Sequence, residues 1–239
     1  FSQFYTKIDF LENFATEPVN LYENKIDDFE LIYDKYGNQD INGPLLMSPS
    51  SAYLSSKTRF LVVGKETAGW EQFNIGINEL LSCYERFNVG ESYNKKGSPL
   101  WYLVRFTEEQ LGNSNYSCMW TNLSKYDQNR KEPDVEHRED FSKLDNLLKD
   151  EIDILKPEFC LFFTGHKFDN RLGNIFTDLQ FIAVEGFDPN VLVQLKSPDL
   201  PSLCYRTSHP KWISLQNKKS QLKDRLESFI TQIGRSLEI

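Results

Sequence analysis

The feature that most constrains the fold is a series of short, unbroken apolar runs, each ending at a turn or a polar residue. Arg59–Val63 closes on Phe-Leu-Val-Val and stops at Gly64, and Cys118–Leu123 is apolar and β-prone. Phe159–Phe163 stops at Thr164-Gly165, and Leu203–Arg206 runs into Ser208-His209-Pro210. Runs of this kind suit strands buried on both faces of a parallel sheet. Phe181–Val184 offers a fifth strand. Between them lie stretches with helical spacing: Asn74–Phe87, Pro99–Leu111, Val135–Leu155, Phe168–Phe176 and Leu215–Ile230. Phe4–Phe14 and Asp27–Tyr36 add two helices ahead of the first strand. Strands alternating with helices predict an α/β fold. The expected form is a three-layer α/β/α sandwich around a mostly parallel four- to five-stranded sheet. No linker stands out, so one domain is expected over residues 1–239. Residues 1–50 form an acidic helical extension and 59–230 the core.

Charge bears on partners. The chain of 239 residues carries a formal −8, which argues against indiscriminate binding to nucleic acid or anionic membrane. The distribution is polarised. Residues 1–50 hold three basic and nine acidic side chains, whereas 205–225 hold six basic and one acidic. No run of 18 apolar residues predicts a membrane span, and the opening residues lack the zoning of a secretory leader. The four cysteines (Cys83, Cys118, Cys160, Cys204) are far apart, as buried thiols of a cytoplasmic protein would be. No His or Cys spacing matches a metal site, so neither metal nor cofactor is expected.

In a sheet of this kind ligands sit beyond the carboxyl ends of the strands. The first strand exits into Gly64-Lys65-Glu66-Thr67-Ala68-Gly69-Trp70. The second exits at Asn122, followed by Lys125 and Asn129-Arg130, the third at Thr164-Gly165-His166, and the last at His209-Pro210. A carboxylate, an amide and an imidazole are thereby expected at one rim. Each has a plainer reading when taken alone. Gly64-x-Glu66-x-x-Gly69 is neither a P-loop nor a dinucleotide fingerprint, and equally suits a strand-to-helix turn. Asn122 equally suits a loop tie, and His209 a turn residue held extended by Pro210. His137 reads as a surface residue.

Taken in order, the exits resemble the uracil-DNA glycosylase superfamily. Gly64-Lys65-Glu66-Thr67-Ala68-Gly69 is similar to its first motif, although Thr67 stands in place of the usual proline and Lys65 where the iron–sulfur branch is acidic. Trp120-Thr121-Asn122-Leu123 resembles its base-reading strand end, and Asn129-Arg130-Lys131-Glu132-Pro133 the continuation. Gly97-Ser98-Pro99-Leu100 resembles a segment whose aromatic stacks on the base, with Trp101 or Trp70 as substitutes for that ring. Ser208-His209-Pro210-Lys211-Trp212 resembles the closing motif. Cluster cysteines are missing, so no iron–sulfur cluster is expected.

The resemblance implies a DNA glycosylase that hydrolyses the N-glycosidic bond of uracil or another deaminated base. Such an enzyme flips its base into a pocket. Glu66 and His209 would be catalytic, the first stabilising the cationic sugar and orienting water, the second donating to the leaving base. Gly64, Asn122, Leu100, Trp101 and Trp70 would bind the base. Lys125, Arg130, Pro210, Lys211, Trp212, Lys218 and Lys219 would contact single- or double-stranded DNA, Trp212 or Ile213 as an apolar wedge. The rival expectation is a catalytically inactive nucleic-acid or nucleobase-binding module of the same fold. A third is an enzyme acting on a small nucleoside.

Overall fold

The computed structural model describes residues 16–93 and 97–237. The helix expected at Phe4–Phe14 lies outside the described residues. Residues 16–23 are helical, and α1 (Ile26–Tyr36), β1 (Ile41–Asn42), β2 (Phe60–Gly64), α2 (Ile77–Phe87) and α3 (Pro99–Gln110) follow. Then come β3 (Met119–Asn122), β4 (Asp127–Gln128), α4 (Asn146–Leu155), β5 (Phe159–Phe162) and α5 (Asp169–Ile175). The chain closes with β6 (Gln180–Ala183), β7 (Leu192–Lys196), β8 (Leu203–Thr207), α6 (Pro210–Ser220) and α7 (Leu222–Ser236).

The chain divides into two compact units, each assembled from separate stretches. The first comprises Phe1–Pro49, Gly64–Arg86 and Thr121–Lys156, and the second Ser50–Val63, Phe87–Trp120 and Pro157–Ile239. Chain passes between the units five times, two of them within β2 and β3, so no single linker marks the division.

A six-stranded sheet runs in the order β3-β2-β5-β8-β7-β6. β2–β5 and β5–β8 pair in parallel, β8–β7 and β7–β6 antiparallel. All of β2 and β5 is buried, which is why both read as continuous apolar runs. Phe60 and Phe159 are register partners whose rings stack 5.4 Å apart. The sheet thus has six strands and not four or five. The missed strand is β7, whose Gln194 and Lys196 interrupt its apolar positions, because antiparallel strands near an edge need not be apolar on both faces. The edge strand β6 is exposed along its length.

Two helical expectations are also corrected. Val135–Leu155 is broken into a single turn at Val135–His137, a short helix at Arg138–Ser142, and α4. Leu215–Ile230 belongs to two helices separated at Gln221, whose φ of 48° is left-handed. Asn217 secures that break, its Oδ1 accepting from the Lys223 backbone N–H at 2.8 Å. In the second unit α3, α6 and α7 pack together, and α3 starts where the Ser98 hydroxyl accepts from the Trp101 N–H, with Pro99 in the first turn.

In the first unit β1 and β4 form a separate antiparallel pair, with Ile41 opposite Gln128 and Asn42 opposite Asp127. The sequence reads Asn42-Gly43-Pro44 as loop; the two-residue strand is too short to leave a periodic signal. Among the described residues no helix is long and apolar enough to cross a membrane.

Candidate functional site

The β2 and β3 exits lie side by side in the first unit. Beyond the strands, the Gly64 carbonyl accepts from the Leu123 N–H at 3.0 Å, and the Lys65 carbonyl from the Ser124 N–H at 2.7 Å. Glu66 and Asn122, 56 residues apart in sequence, are thereby held at neighbouring strand ends.

Glu66 is half-buried. One oxygen, Oε1, faces the Lys65 ammonium at 3.7 Å. The other, Oε2, is buried and accepts no hydrogen bond among the described residues. Burial holds the carboxyl above its ordinary value, opposed in part by Lys65 and reinforced by Glu132 and Asp127. A carboxylate raised in this way at a strand exit has the properties of a general base or of an anion awaiting a cation. Asn122 is fully enclosed, at 0% exposure. Reading a base with its carboxamide therefore requires the surroundings to open.

The loop carrying Glu66 is tied to the β4 strand through Asp127, which sequence reasoning missed. Its Oδ2 accepts from the Thr67 hydroxyl and from the Gly69 N–H at 2.9 Å. Its Oδ1 accepts from Asn42 Nδ2 at 3.0 Å and from the Arg130 N–H at 2.9 Å. The second of these closes a turn in which Asn129 and Arg130 both have positive φ. An Asp three residues before a turn donor is the signal that marks it in the sequence. Arg130 is exposed and lies over Gly69, where a Cβ would come within 3.3 Å of its Nε. Trp70 is half-buried at the end of the same loop.

Lys125 is a correction. Its side chain is 1% exposed and its Nζ sits 2.5 Å from Oε2 of Glu151, itself fully buried. The Thr121 and Tyr22 hydroxyls also donate to this carboxylate, at 2.6 and 2.8 Å. An ammonium neutralised in the interior is not presented to a phosphate. Its place in a polar stretch hid this, because nothing in the local pattern announces a partner 26 residues on.

His209, in the second unit, follows β8 and caps α6. Its Nδ1 accepts from the Lys211 N–H at 3.2 Å, and Pro210 opens the helix. A ring nitrogen that accepts a backbone N–H carries no proton of its own. Beyond it Lys211, Trp212, Leu215, Lys218 and Lys219 are exposed along α6. The rest of the basic stretch is committed. Arg206 is buried in a paired ion bridge with Asp169, at 2.7 and 2.9 Å. The Lys223 ammonium lies 4.1 Å from the Tyr102 ring centre, and Arg225 packs over Phe187. Ile213 is buried, so of the two wedge candidates only Trp212 reaches solvent.

Trp101 is a second correction. It is buried against Phe87 and Trp120, with ring centres 5.5 and 5.7 Å away. Gly90 makes room for it, since a Cβ there would fall 2.4 Å from the indole. An indole locked in this cluster is not free to stack on a base. Leu100 beside it is half-buried. His137 packs at a tilt on Tyr36, ring centres 4.6 Å apart, and its Nδ1 meets Gln128 Oε1 at 3.2 Å.

Cys118, Cys160 and Cys204 are buried and Cys83 half-exposed. Among the described residues no three His, Cys, Asp or Glu side chains gather as a metal site. No family model matches the chain, and no curated protein matches it at a significant level.

Proposed function

We propose that the protein is a base-excision glycosylase built on a three-layer α/β/α sandwich, hydrolysing the N-glycosidic bond of uracil or another deaminated base in DNA. The observation that carries this proposal is the Glu66 carboxylate. It is half-buried at a strand exit, with one oxygen enclosed and accepting no hydrogen bond among the described residues, beside the strand end that carries Asn122. Cleavage of the N-glycosidic bond builds positive charge on the sugar, and a desolvated carboxylate stabilises that charge more strongly than one in water. The same group orients and deprotonates the attacking water. Asn122 offers a donor and an acceptor to a base edge once its enclosure opens, a conformational step that belongs to this function. The resemblance assigns His209 the part of a donor to the leaving base. Lys211, Lys218 and Lys219 supply exposed cations for phosphates, and Trp212 an apolar wedge.

Incubation with single- and double-stranded oligonucleotides containing uracil, hypoxanthine or xanthine, followed by alkaline detection of abasic sites, tests the proposal. Product is expected with the wild type, and at least about 100-fold less with Glu66→Gln. Wild-type product no greater than that of a Glu66→Gln/His209→Ala double variant would overturn it.

One observation favours a second reading, a non-catalytic nucleobase- or nucleic-acid-binding module. The Lys65 ammonium lies 3.7 Å from Glu66 Oε1, where it competes with a cationic sugar for the carboxylate. Oligonucleotide binding without any abasic product distinguishes this case.

A further inference from the structure

We propose that Thr67 and Asp127 form a positioning latch that holds the loop of Glu66, and with it the Glu66 carboxylate, in place for the reaction. The role assigned to Glu66 rests on the glycosylase proposal; the latch itself rests on the hydrogen bonds described above.

Asp127 is fully buried, and among the described residues no Lys or Arg side chain pairs with it. A carboxylate in the interior is tolerated only when donors replace its water. Here four donors do so, two to each oxygen. Two of the four, the Thr67 hydroxyl and the Gly69 N–H, belong to the loop that follows Glu66. If the loop swings away, Asp127 loses half of its donors while still buried. The loop is therefore held by the charge it satisfies, not only by its own packing.

The latch also brackets Glu66. On one side the Lys65 carbonyl accepts from the Ser124 N–H at 2.7 Å. On the other the Thr67 hydroxyl donates to Asp127. The backbone is tied to the segment after β3 on both sides of a residue whose own Oε2 is left without a hydrogen bond. Neighbours are committed and one oxygen of the central carboxylate is spared, as a preorganised reactive group requires. Thr67 stands where the resembling family has proline. In this chain the side-chain hydrogen bond of Thr67 ties the loop to Asp127.

The test compares Thr67→Ser, which keeps the hydroxyl, with Thr67→Val and Thr67→Ala, which lack it. The ¹³C signal of the Glu66 carboxyl is titrated in each, alongside thermal melting and steady-state kinetics on a deaminated-base oligonucleotide. Glu66 titrates against Lys65, Glu132 and Asp127; all three stay in place, Val and Ala remove one donor from Asp127, and Ser keeps it. Val and Ala are expected to move the Glu66 midpoint downward, as the displaced carboxyl gains water. They are also expected to lower kcat about 10- to 100-fold, with KM changed less than about threefold, as a misplaced group does. Ser is expected to keep both near wild type. A Thr67→Val or Thr67→Ala protein that melts lower yet keeps the wild-type midpoint and kcat would overturn the latch. If Val does not fold, Ala against Ser decides. If the wild type excises none of the bases, the glycosylase proposal fails, and the titration still decides the latch.

Discussion

The ammonium of Lys125 and the carboxylate of Glu151 meet at 2.5 Å with both side chains out of water. The Thr121 hydroxyl and Lys125 converge on the same carboxylate oxygen, and Tyr22 takes the other. This cluster anchors α4 and the residues after β3, and so supports the strand end that carries Asn122. Removing one partner strands a buried charge. Lys125→Met or Glu151→Gln is expected to cost about 3–5 kcal/mol in urea unfolding. The Lys125→Met/Glu151→Leu pair should recover part of the loss. A single variant with wild-type stability contradicts the buried-pair assignment.

Glu66 carries a pH signature of opposite sign to a salt-bridged carboxylate. Burial raises its folded value above the unfolded one, about 4.3, so the ionised form costs the native state stability. That cost is absent at acid pH and is incurred as pH rises through the folded value. Glu66→Gln is therefore expected to melt higher than the wild type at pH 7, with the difference vanishing below the unfolded value. Melting curves at the two pH values read this directly. An equal difference at both would show that burial of the charge is not its origin.

His209 has a structural duty separate from any catalytic one. Its Nδ1 caps α6 through the Lys211 N–H. Loss of that cap in His209→Ala is expected to cost about 0.5–2 kcal/mol, and His209→Asn should restore most of it. Nitrogen-15 spectra at neutral pH should show Nδ1 unprotonated and Nε2 protonated. The reverse tautomer would remove both the cap and the proposed donor.

The exposed lysines of α6 can be separated from the buried one by salt. If Lys211, Lys218 and Lys219 contact phosphates, replacing all three by Gln should flatten the dependence of log affinity on log salt. The expected change for a single strand is about 2 in slope, at about 0.7 for each phosphate no longer neutralised. Lys125→Met, where it folds, should leave the slope unchanged. Equal slopes for the triple variant and the wild type would remove α6 from the nucleic-acid interface.

Much of the framework was legible in the chain itself. Phe60–Gly64 and Phe159–Phe162 announced themselves because strands buried on both faces must be apolar at every position. Pro99, behind the capping Ser98, marked the start of α3, whereas α6 starts at Pro210, five residues ahead of the expected Leu215. β7 was missed because its antiparallel neighbours allow polar residues into it, and the break at Gln221 because its glutamine gives no turn signal.

The sequence by itself determined which groups stand at strand exits: Glu66 after β2, Asn122 at the end of β3, His209 after β8. That follows from local rules, since a strand ends where its apolar run ends. Only the tertiary structure decided what each charged or aromatic group does there. Lys125 reads as a phosphate contact and Trp101 as a base-stacking ring in the sequence, and nothing there names a partner for Arg206, yet Glu151, the Phe87–Trp120 cluster and Asp169 take them inside. Asp127, marked in the chain only by its local turn with Arg130, became the anchor of the Glu66 loop. The physical reason is common to all four. A buried charge or ring is defined by the partner that replaces water around it, and those partners come from parts of the chain that only folding brings near.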